Sequence, residues 1–230
     1  MKFASIKKET LMLDPQNSMA QKRIPSEIRV DPLTGRNARI CHFMKLQWQK
    51  PDFNAMVAGT EAYCPFCPGK VLDVTPCFPE EMIPEGRMRK KDMVLFPNLA
   101  PYDSIGAVAT FGGRHYIPML ELSAGLMAEA FGFALDFFRR IEALDHPEAV
   151  YHIVNWNYMP PAGSSLIHPH LQVFSTSTAP NLMQQELVAA RRYREKMKSN
   201  FWDDLAAVEA DTGERYLGKI GRSHWMTAYA

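Results

Sequence analysis

The sequence predicts an α+β fold in which an antiparallel sheet carries helices packed on one side. Short β-prone runs recur along the chain and are separated by turns rich in Pro, Gly and Asn. Two longer segments repeat apolar residues at intervals of three and four, the spacing of an amphipathic helix. The elements follow one another as strands, helix, strands, helix, and 230 residues with 47% apolar composition suffice for a sizeable core.

The N-terminal part of the chain is expected to hold an arm and a hairpin. Residues 1–26 are polar with scattered charges, which is typical of an arm that packs on the body or on a partner. Residues 27–44 contain two extended runs around Asp31-Pro32-Leu33-Thr34-Gly35, where Pro and Gly favour a turn. Residues 51–90 hold so many Pro and Gly residues that they predict an irregular loop.

The remaining elements are placed by their apolar periodicity. A helix is predicted from Ser123, a suitable N-cap, to about Asp145, and a second, basic-edged helix over 182–197. Strands are predicted over 93–96, 105–111, 150–155 and 168–175, with a strand-like run at 223–230. The expected domains are an arm over 1–26, a main domain over 27–212 and the start of a second half over 213–230.

Composition and charge argue against binding to nucleic acid or membranes and against a disulfide-rich secreted protein. The 26 Lys and Arg residues face 25 Asp and Glu residues, so a formal charge of +1 offers no strong field for nucleic acid or an anionic membrane. No apolar run approaches the ~20 residues that span a bilayer, and the N-terminus lacks the apolar centre of a signal peptide. Four cysteines do not resemble a dense disulfide framework. We expect a cytoplasmic protein that binds small molecules in a pocket.

The segment His168-Pro169-His170-Leu171-Gln172 carries the strongest chemical signal. Alternate residues of a strand share a face, so His168, His170 and Gln172 are expected to point into one cavity. A neutral imidazole is a nucleophile near pH 7, and its attack on phosphorus gives a labile phosphoramidate. The alternative is that two histidines on a half-buried strand satisfy backbone groups or lie at the surface.

The loop before this strand, residues 155–165, ends in Gly163-Ser164-Ser165, whose amides and hydroxyls can approach an anion closely. Such donors would stabilise a pentavalent phosphoryl transition state. Taken alone, the segment is also compatible with an ordinary turn. Its position next to the histidines favours the anion-binding interpretation.

Cys64 and Cys67 have a C-x-x-C spacing, which lets two thiolates bind one tetrahedral Zn²⁺ while two further ligands come from elsewhere. His115 and His168 are the available completions, and such a site would tie the loop to the strand that carries His170. The alternatives are a redox dithiol and two buried cysteines without metal, although no thioredoxin-like βαβ pattern surrounds the pair.

Together these residues resemble the galactose-1-phosphate uridylyltransferase family, the H-P-H-x-Q branch of the histidine-triad superfamily. The resemblance rests on C-x-x-C, an Asn-containing Gly-Ser loop and H-P-H-x-Q in that order, and it runs from Arg29 over most of the chain. It implies a histidine-triad-like sheet. It also implies a structural zinc site whose ligands are Cys64, Cys67, His115 and His168.

The same resemblance implies roles for the residues that would meet the substrate. His170 matches the residue that becomes uridylylated, and Gln172 matches the glutamine that donates to the phosphoryl oxygens. The substrate-binding residues that it implies are Asn157, Ser164 and Ser165 of the phosphate loop and Asn98 of the nucleoside segment.

The reaction implied is that of a UDP-glucose:hexose-1-phosphate uridylyltransferase of galactose metabolism, a homodimer that uses a sugar nucleotide and a sugar phosphate. Two alternatives stay open, a nucleotide-sugar phosphorylase or hydrolase of the same superfamily and a nucleotide-binding module without turnover. Two differences from the family keep them open. Residues 41–45, Cys-His-Phe-Met-Lys, stand where the family carries arginines, and family members are longer than 230 residues.

Overall fold

The computed structural model describes residues 1–41 and 51–230. The chain divides into two compact units, one formed by Met1–Gln49 and Pro180–Ala230 and the other by Lys50–Ala179. Residues 42–44 of the predicted hairpin, and the segment 42–45 that lacks the family's arginines, lie outside the described residues. The domain limits at 26 and 212 stay a prediction.

The described residues contain five α-helices and ten strands. The helices are α1 (Asn54–Val57), α2 (Val71–Val74), α3 (Ala124–Ala143), α4 (Asn181–Met197) and α5 (Phe201–Thr212). The strands are β1 (Ala4–Asp14), β2 (Ala20–Val30), β3 (Asn37–Cys41), β4 (Met88–Lys90), β5 (Met93–Pro97), β6 (Ile105–Thr110), β7 (Tyr151–Asn155), β8 (His170–Thr176), β9 (Tyr216–Ile220) and β10 (Ser223–Met226). Within the described ranges, we find no helix with the length and apolar character needed to cross a membrane.

The first unit contains an antiparallel sheet in the order β1-β2-β3. β1 pairs with β2 along its whole length, from Ala4 opposite Val30 to Asp14 opposite Ala20. Much of the segment expected as an arm is therefore a strand. The predicted hairpin is present as β2 and β3, and Asp31 Oδ1 stabilises its turn by accepting hydrogen bonds from the backbone amides of Leu33 and Thr34.

Two helices and a second hairpin complete this unit. α4 confirms the helix predicted over 182–197. α5 follows it and was not predicted, although Asn200 caps its N-terminus by accepting from Trp202 N and Gly213 ends it in the left-handed conformation. β9 and β10 then pair antiparallel, which confirms a strand within the run predicted at 223–230.

The second unit is built on a five-stranded antiparallel sheet with the order β4-β5-β6-β8-β7. Helix α3 packs on one face of this sheet and begins where predicted, because Ser123 Oγ accepts a hydrogen bond from Leu126 N at 3.2 Å. Its apolar side buries Phe133, Phe137 and Ile141 in the core, each contributing about 1.5–3 kcal/mol. The predicted α+β class is confirmed.

Strands of this sheet send alternate residues to its two faces. Leu95 of β5 and Leu171 of β8 lie in the large core beneath α3. Phe96 of β5 and Val108 of β6 instead form a smaller apolar cluster on the opposite face, with Val71 of α2 and the ring of Phe66. β8 lies between β6 and β7 and therefore presents its second face beside this cluster.

Candidate active site and metal site

Strand β8 separates core residues from polar residues as the sequence predicts. Leu171 and Val173 have no exposed surface and belong to the core beneath α3. His170 and Gln172 point to the other face, where they lie opposite Thr110 and Val108 of β6. His168 precedes the strand and is fully buried.

The structure brings together the four predicted ligand residues. The candidate ligand atoms of Cys64, Cys67, His115 and His168 all lie within 4.8 Å of one another. The two cysteines stand on the turn before α2, and Phe66 N donates to Cys64 Sγ at 3.4 Å. Both cysteines are free thiols rather than a disulfide. Two sulfur and two nitrogen donors suit one tetrahedral transition-metal ion, so the cluster can hold a metal.

Both histidines of the cluster turn the same ring nitrogen towards the cysteines. His168 Nδ1 lies 3.7 Å from Cys67 Sγ, while its Nε2 lies 2.8 Å from the carbonyl oxygen of Gly112. His115 Nδ1 lies 3.4 Å from the same sulfur. Because a carbonyl can only accept, His168 carries its proton on Nε2 and keeps the Nδ1 lone pair for a metal.

His115 is oriented by a hydroxyl group instead of a carbonyl. Its Nε2 lies 2.8 Å from Thr60 Oγ1, and this hydroxyl donates its own proton to the carbonyl oxygen of Val57 at 2.7 Å. The hydroxyl oxygen is thereby left to accept from His115 Nε2–H, so Nδ1 again faces the cluster. Thr60 and Gly112 were not predicted, since their roles depend on contacts across 55 and 56 residues.

The carbonyl that orients His168 belongs to Gly112, whose backbone lies close to the carboxylate of Asp92. Gly112 has φ +116°, and a Cβ at this position would lie 2.7 Å from Asp92 Oδ2. The same oxygen accepts from Gly113 N at 2.9 Å. Only glycine fits at position 112 without displacing Asp92.

Burial sets the protonation of the cluster when no cation is present. It raises the pKa of the Cys67 thiol to about 12, with a further contribution from Cys64. Burial also lowers the pKa of His168 to about 4, against the opposing hydrogen bond to Gly112, and lowers the pKa of His115. The imidazoles are therefore neutral and keep the lone pairs that a metal requires.

His170 lies next to the cluster and presents one free nitrogen. Its Nδ1 donates to the carbonyl oxygen of His168 at 2.7 Å, which leaves the lone pair on Nε2. Nε2 of His170 has no hydrogen-bond partner among the described residues. It is not fully enclosed either, because Glu209 Oε2 is the one fully enclosed side-chain nitrogen or oxygen without a partner there. Nε2 therefore retains some contact with solvent. Burial lowers the pKa of His170, and the Phe66 ring meets it edge-on at 5.2 Å.

Gln172 is oriented by a neighbour that the sequence did not single out. Asn155 of β7 lies directly opposite Gln172 of β8 in the ladder. Asn155 Nδ2 donates to Gln172 Oε1 at 3.2 Å. The amide nitrogen of Gln172 is thereby left without a partner among the described residues.

The predicted substrate-binding residues lie in turns and differ in exposure and in whether their side chains already make hydrogen bonds. Ser164 Oγ donates to Leu166 O at 2.7 Å and so stabilises the loop itself, whereas the neighbouring Ser165 is exposed. Asn157 is half-buried and lies against Gly163. Asn98 follows β5, where its Oδ1 accepts from Ala100 N at 3.1 Å.

The loop that carries the serines contains a residue with a strained backbone. Met159 adopts φ 67°, ψ 161°, although it is not a glycine, and its side chain is almost fully buried. Such conformations cost on the order of 1–3 kcal/mol and persist only when the surroundings fix them. The buried side chain thus holds the path of the loop that leads to His168.

The fold and these two groups of residues define an α+β protein in which a buried cluster that can hold a metal lies next to a neutral, largely buried histidine whose Nε2 has no partner among the described residues. No family model matches the chain. An uncharacterized protein of Archaeoglobus fulgidus is 32% identical over 206 residues, which cover 89% of this chain and 60% of that protein.

Several solved structures have a similar fold. A GalT-like protein from Arabidopsis thaliana has a TM-score of 0.58 at 18% identity, and the match covers 86% of this chain and 61% of that one. ADP-glucose phosphorylase from Arabidopsis thaliana, with bound ADP-glucose, has a TM-score of 0.53 at 18% identity, covering 83% and 59%. A uridylyltransferase structure has a TM-score of 0.51 at 20% identity, covering 84% and 59%.

These matches show that the chain shares the fold of these proteins, and the fold implied by the sequence resemblance is confirmed at that level. The chain spans about 60% of the length of the relatives it matches.

Proposed function

We propose that the protein is a nucleotidyltransferase that acts on nucleoside diphosphate sugars through a nucleotidyl-histidine at His170. The observation that carries this proposal is the hydrogen bond from His170 Nδ1 to the carbonyl of His168. It directs the lone pair of a neutral imidazole outwards from Nε2, the arrangement a nitrogen nucleophile requires. Proximity to a metal-binding cluster alone would not specify a reactive nitrogen.

In the first step, the lone pair of His170 Nε2 attacks the α-phosphorus. An N–P bond forms, the bond from this phosphorus to the bridging oxygen breaks, and its electron pair leaves on the sugar phosphate. The ring of the adduct carries positive charge, and the His168 carbonyl stabilises it through Nδ1–H. The leaving group departs as a phosphate anion, so the step requires no general acid.

In the second step, an oxygen of an acceptor phosphate attacks the same phosphorus. The N–P bond breaks and its electron pair returns to Nε2, which restores the neutral ring. With a hexose 1-phosphate as acceptor, the reaction is that of a UDP-glucose:hexose-1-phosphate uridylyltransferase. With inorganic phosphate it is that of a nucleotide-sugar phosphorylase, a reaction that one structural relative carries in its name.

The residues around His170 are proposed to bind the phosphates and the nucleoside. The free amide nitrogen of Gln172 donates to a phosphoryl oxygen, and Asn157, Ser165 and the loop amides donate to the others. Ser164 supports this loop through its hydrogen bond to Leu166. Asn98 is proposed to contact the nucleoside.

We propose zinc as the metal held by Cys64, Cys67, His115 and His168, because two thiolates and two imidazoles are a usual donor set for it. With four protein ligands, the ion would cross-link the structure rather than take part in the reaction. The residues that would hold it include His168, whose carbonyl orients His170. Metal analysis of the purified protein by inductively coupled plasma mass spectrometry tests this assignment, and one equivalent of zinc per chain is expected.

The central test is to trap the adduct. The protein is incubated with UDP-glucose or ADP-glucose without an acceptor, and peptides are examined by mass spectrometry at neutral pH, where a phosphoramidate survives. We expect a uridylyl or adenylyl group on His170 and none in His170→Ala. The matched control is His224→Ala, an exposed histidine of β10, which should leave labelling intact. Nucleotide binding without labelling by either donor would favour a non-catalytic binding module.

A second stage identifies the acceptor. The trapped protein is mixed with glucose 1-phosphate, galactose 1-phosphate, inorganic phosphate or buffer alone, and loss of the adduct is timed. Loss only with sugar phosphates supports the uridylyltransferase reaction, and loss with inorganic phosphate supports a phosphorylase. Loss in buffer alone identifies a hydrolase. The expected homodimer, supported by the family resemblance, is tested by sedimentation equilibrium.

A further inference from the structure

We infer that Asn155 is a positioning residue that fixes which end of the Gln172 side chain faces the substrate, an inference that rests on the proposed function. The two residues are partners in the β7–β8 ladder, so their side chains leave the sheet on the same face. Asn155 Nδ2 reaches Gln172 Oε1 at 3.2 Å. The contact joins an exposed residue to a half-buried one.

The direction of this hydrogen bond matters because a glutamine side chain has two chemically opposite ends. Its oxygen only accepts hydrogen bonds, and its nitrogen only donates them. Phosphoryl oxygens only accept, so a glutamine helps phosphoryl transfer when it presents its nitrogen and opposes it when it presents its oxygen. Nothing in the H-P-H-x-Q motif itself selects between these orientations.

In this protein the residue that contacts the Gln172 side chain, Asn155, lies on β7. Val108, which lies opposite Gln172 on the other neighbouring strand, has an apolar side chain and exerts no preference. Asn155 is therefore the neighbouring side chain in the ladder that engages the glutamine oxygen. With this oxygen engaged, the nitrogen of Gln172 is the end left for a substrate bound beside His170, which lies two residues away on the same face of β8.

The inference predicts a larger loss of rate for the isosteric Asn155→Asp than for the truncation Asn155→Ala. Asn155→Asp replaces the donor with a carboxylate, which attracts the nitrogen of Gln172 and leaves the oxygen facing the phosphate. Asn155→Ala removes the contact and lets both orientations occur. Because residue 155 is exposed, neither change disturbs the core, and both variants should fold.

The test is single-turnover labelling of His170 with whichever of UDP-glucose and ADP-glucose labels the unmodified protein. We expect the maximal labelling rate to fall about 3-fold in Asn155→Ala and about 10- to 100-fold in Asn155→Asp, with a smaller change in the half-saturating concentration. Asn155→Ser, whose shorter hydroxyl can donate to Gln172 but can also accept from it, should recover part of the rate lost in Asn155→Ala. A structural role would not produce this order of effects.

Charge repulsion by the new carboxylate is separated from reorientation by a double-mutant cycle. In a Gln172→Ala background, Asn155→Asp should change the rate by less than about 2-fold, since no amide remains to be reversed. An undiminished effect in that background would overturn the inference, as would equal rates for Asn155→Asp and the unmodified protein.

A binding measurement tests the positioning role of Asn155 independently of the proposed nucleotidyl transfer. If the unmodified protein forms no adduct, the proposed function fails, and affinities for UMP and AMP are compared by calorimetry. Weaker binding by Asn155→Asp than by Asn155→Ala, abolished in the Gln172→Ala background, supports the positioning role without any transfer. Equal affinities, or no binding of either nucleotide to the unmodified protein, would overturn it.

Discussion

Nε2 of His168 lies 2.8 Å from the carbonyl oxygen of Gly112, while the backbone carbonyl of His168 lies 2.7 Å from Nδ1 of His170. Gly112 thus orients the ring of His168, and the backbone carbonyl of His168 orients the ring of His170. The orientation of the proposed nucleophile is therefore linked to the loop between β6 and His115.

The first prediction concerns Gly112→Ala. The new Cβ would meet Asp92 Oδ2 at 2.7 Å in a backbone conformation that disfavours alanine, so the carbonyl that holds His168 should shift. We expect a loss of stability on the order of 1–3 kcal/mol and a lower metal content after dialysis. Gly125→Ala, in the first turn of α3 where the nearest atom would be 3.9 Å away, is the matched control and should retain full metal occupancy.

The second prediction concerns Thr60, whose hydroxyl orients His115. Thr60→Val keeps the shape of the side chain but removes the acceptor, so His115 loses its tautomeric preference. Removal of such a contact to a metal ligand typically costs about 10- to 100-fold in metal affinity, which competition with a chelator measures. Thr60→Ser retains the hydroxyl and should bind metal nearly as tightly as the unmodified protein. Equal affinity of the valine and serine variants would refute the assigned role.

The third prediction concerns the core side of β8. Leu171 is fully buried beneath α3, and Leu171→Ala should lower the free energy of unfolding by about 2–5 kcal/mol. Urea denaturation followed by circular dichroism measures the change. Leu187→Ala, at a position 49% exposed on α4, should alter stability by no more than about 0.5 kcal/mol.

The fourth prediction is a pH dependence in the first unit. Hydrogen bonds from Ser199 and Tyr193, together with the positive Met1 amino group, hold the pKa of Asp204 below its ordinary value of 3.8. A carboxyl with a lowered folded pKa stabilises the protein above the unfolded pKa, and this contribution is lost as pH falls through the folded pKa. Asp204→Asn should therefore be less stable at pH 7, and the difference should shrink below about pH 4. A difference in thermal midpoint that stays constant from pH 7 to pH 3 would contradict this account.

Patterns local in the sequence predicted much of the second unit. The three-and-four spacing after Ser123 placed α3 within two residues of its ends, and the alternation around His170 placed Leu171 on the core face. The four residues of the cluster were also predicted together, because a C-x-x-C pair needs two further ligands to complete a zinc site and few histidines had a suitable setting. These features succeed because each is fixed by backbone period or by donor chemistry.

Other elements escaped prediction for two physical reasons. Almost every residue of β1 is exposed, so its sequence lacks the apolar alternation that would mark a strand. Its pairing with β2 is what makes it a strand. Thr60, Gly112 and Asn155 act on residues 17 to 56 positions away, and no local pattern records such contacts. α5 differs, because Asn200 and Gly213 mark its two ends in the sequence.

The spacing of the four ligands also bears on the order of folding. Cys67 approaches His115 across 48 residues and His168 across 101, so the complete donor set exists only after β5, β6, α3 and β7 have assembled between them. Closing loops of this length is entropically costly and slow compared with helix formation. The complete donor set therefore forms late in folding, after the strands and the helix between Cys67 and His168 have come together.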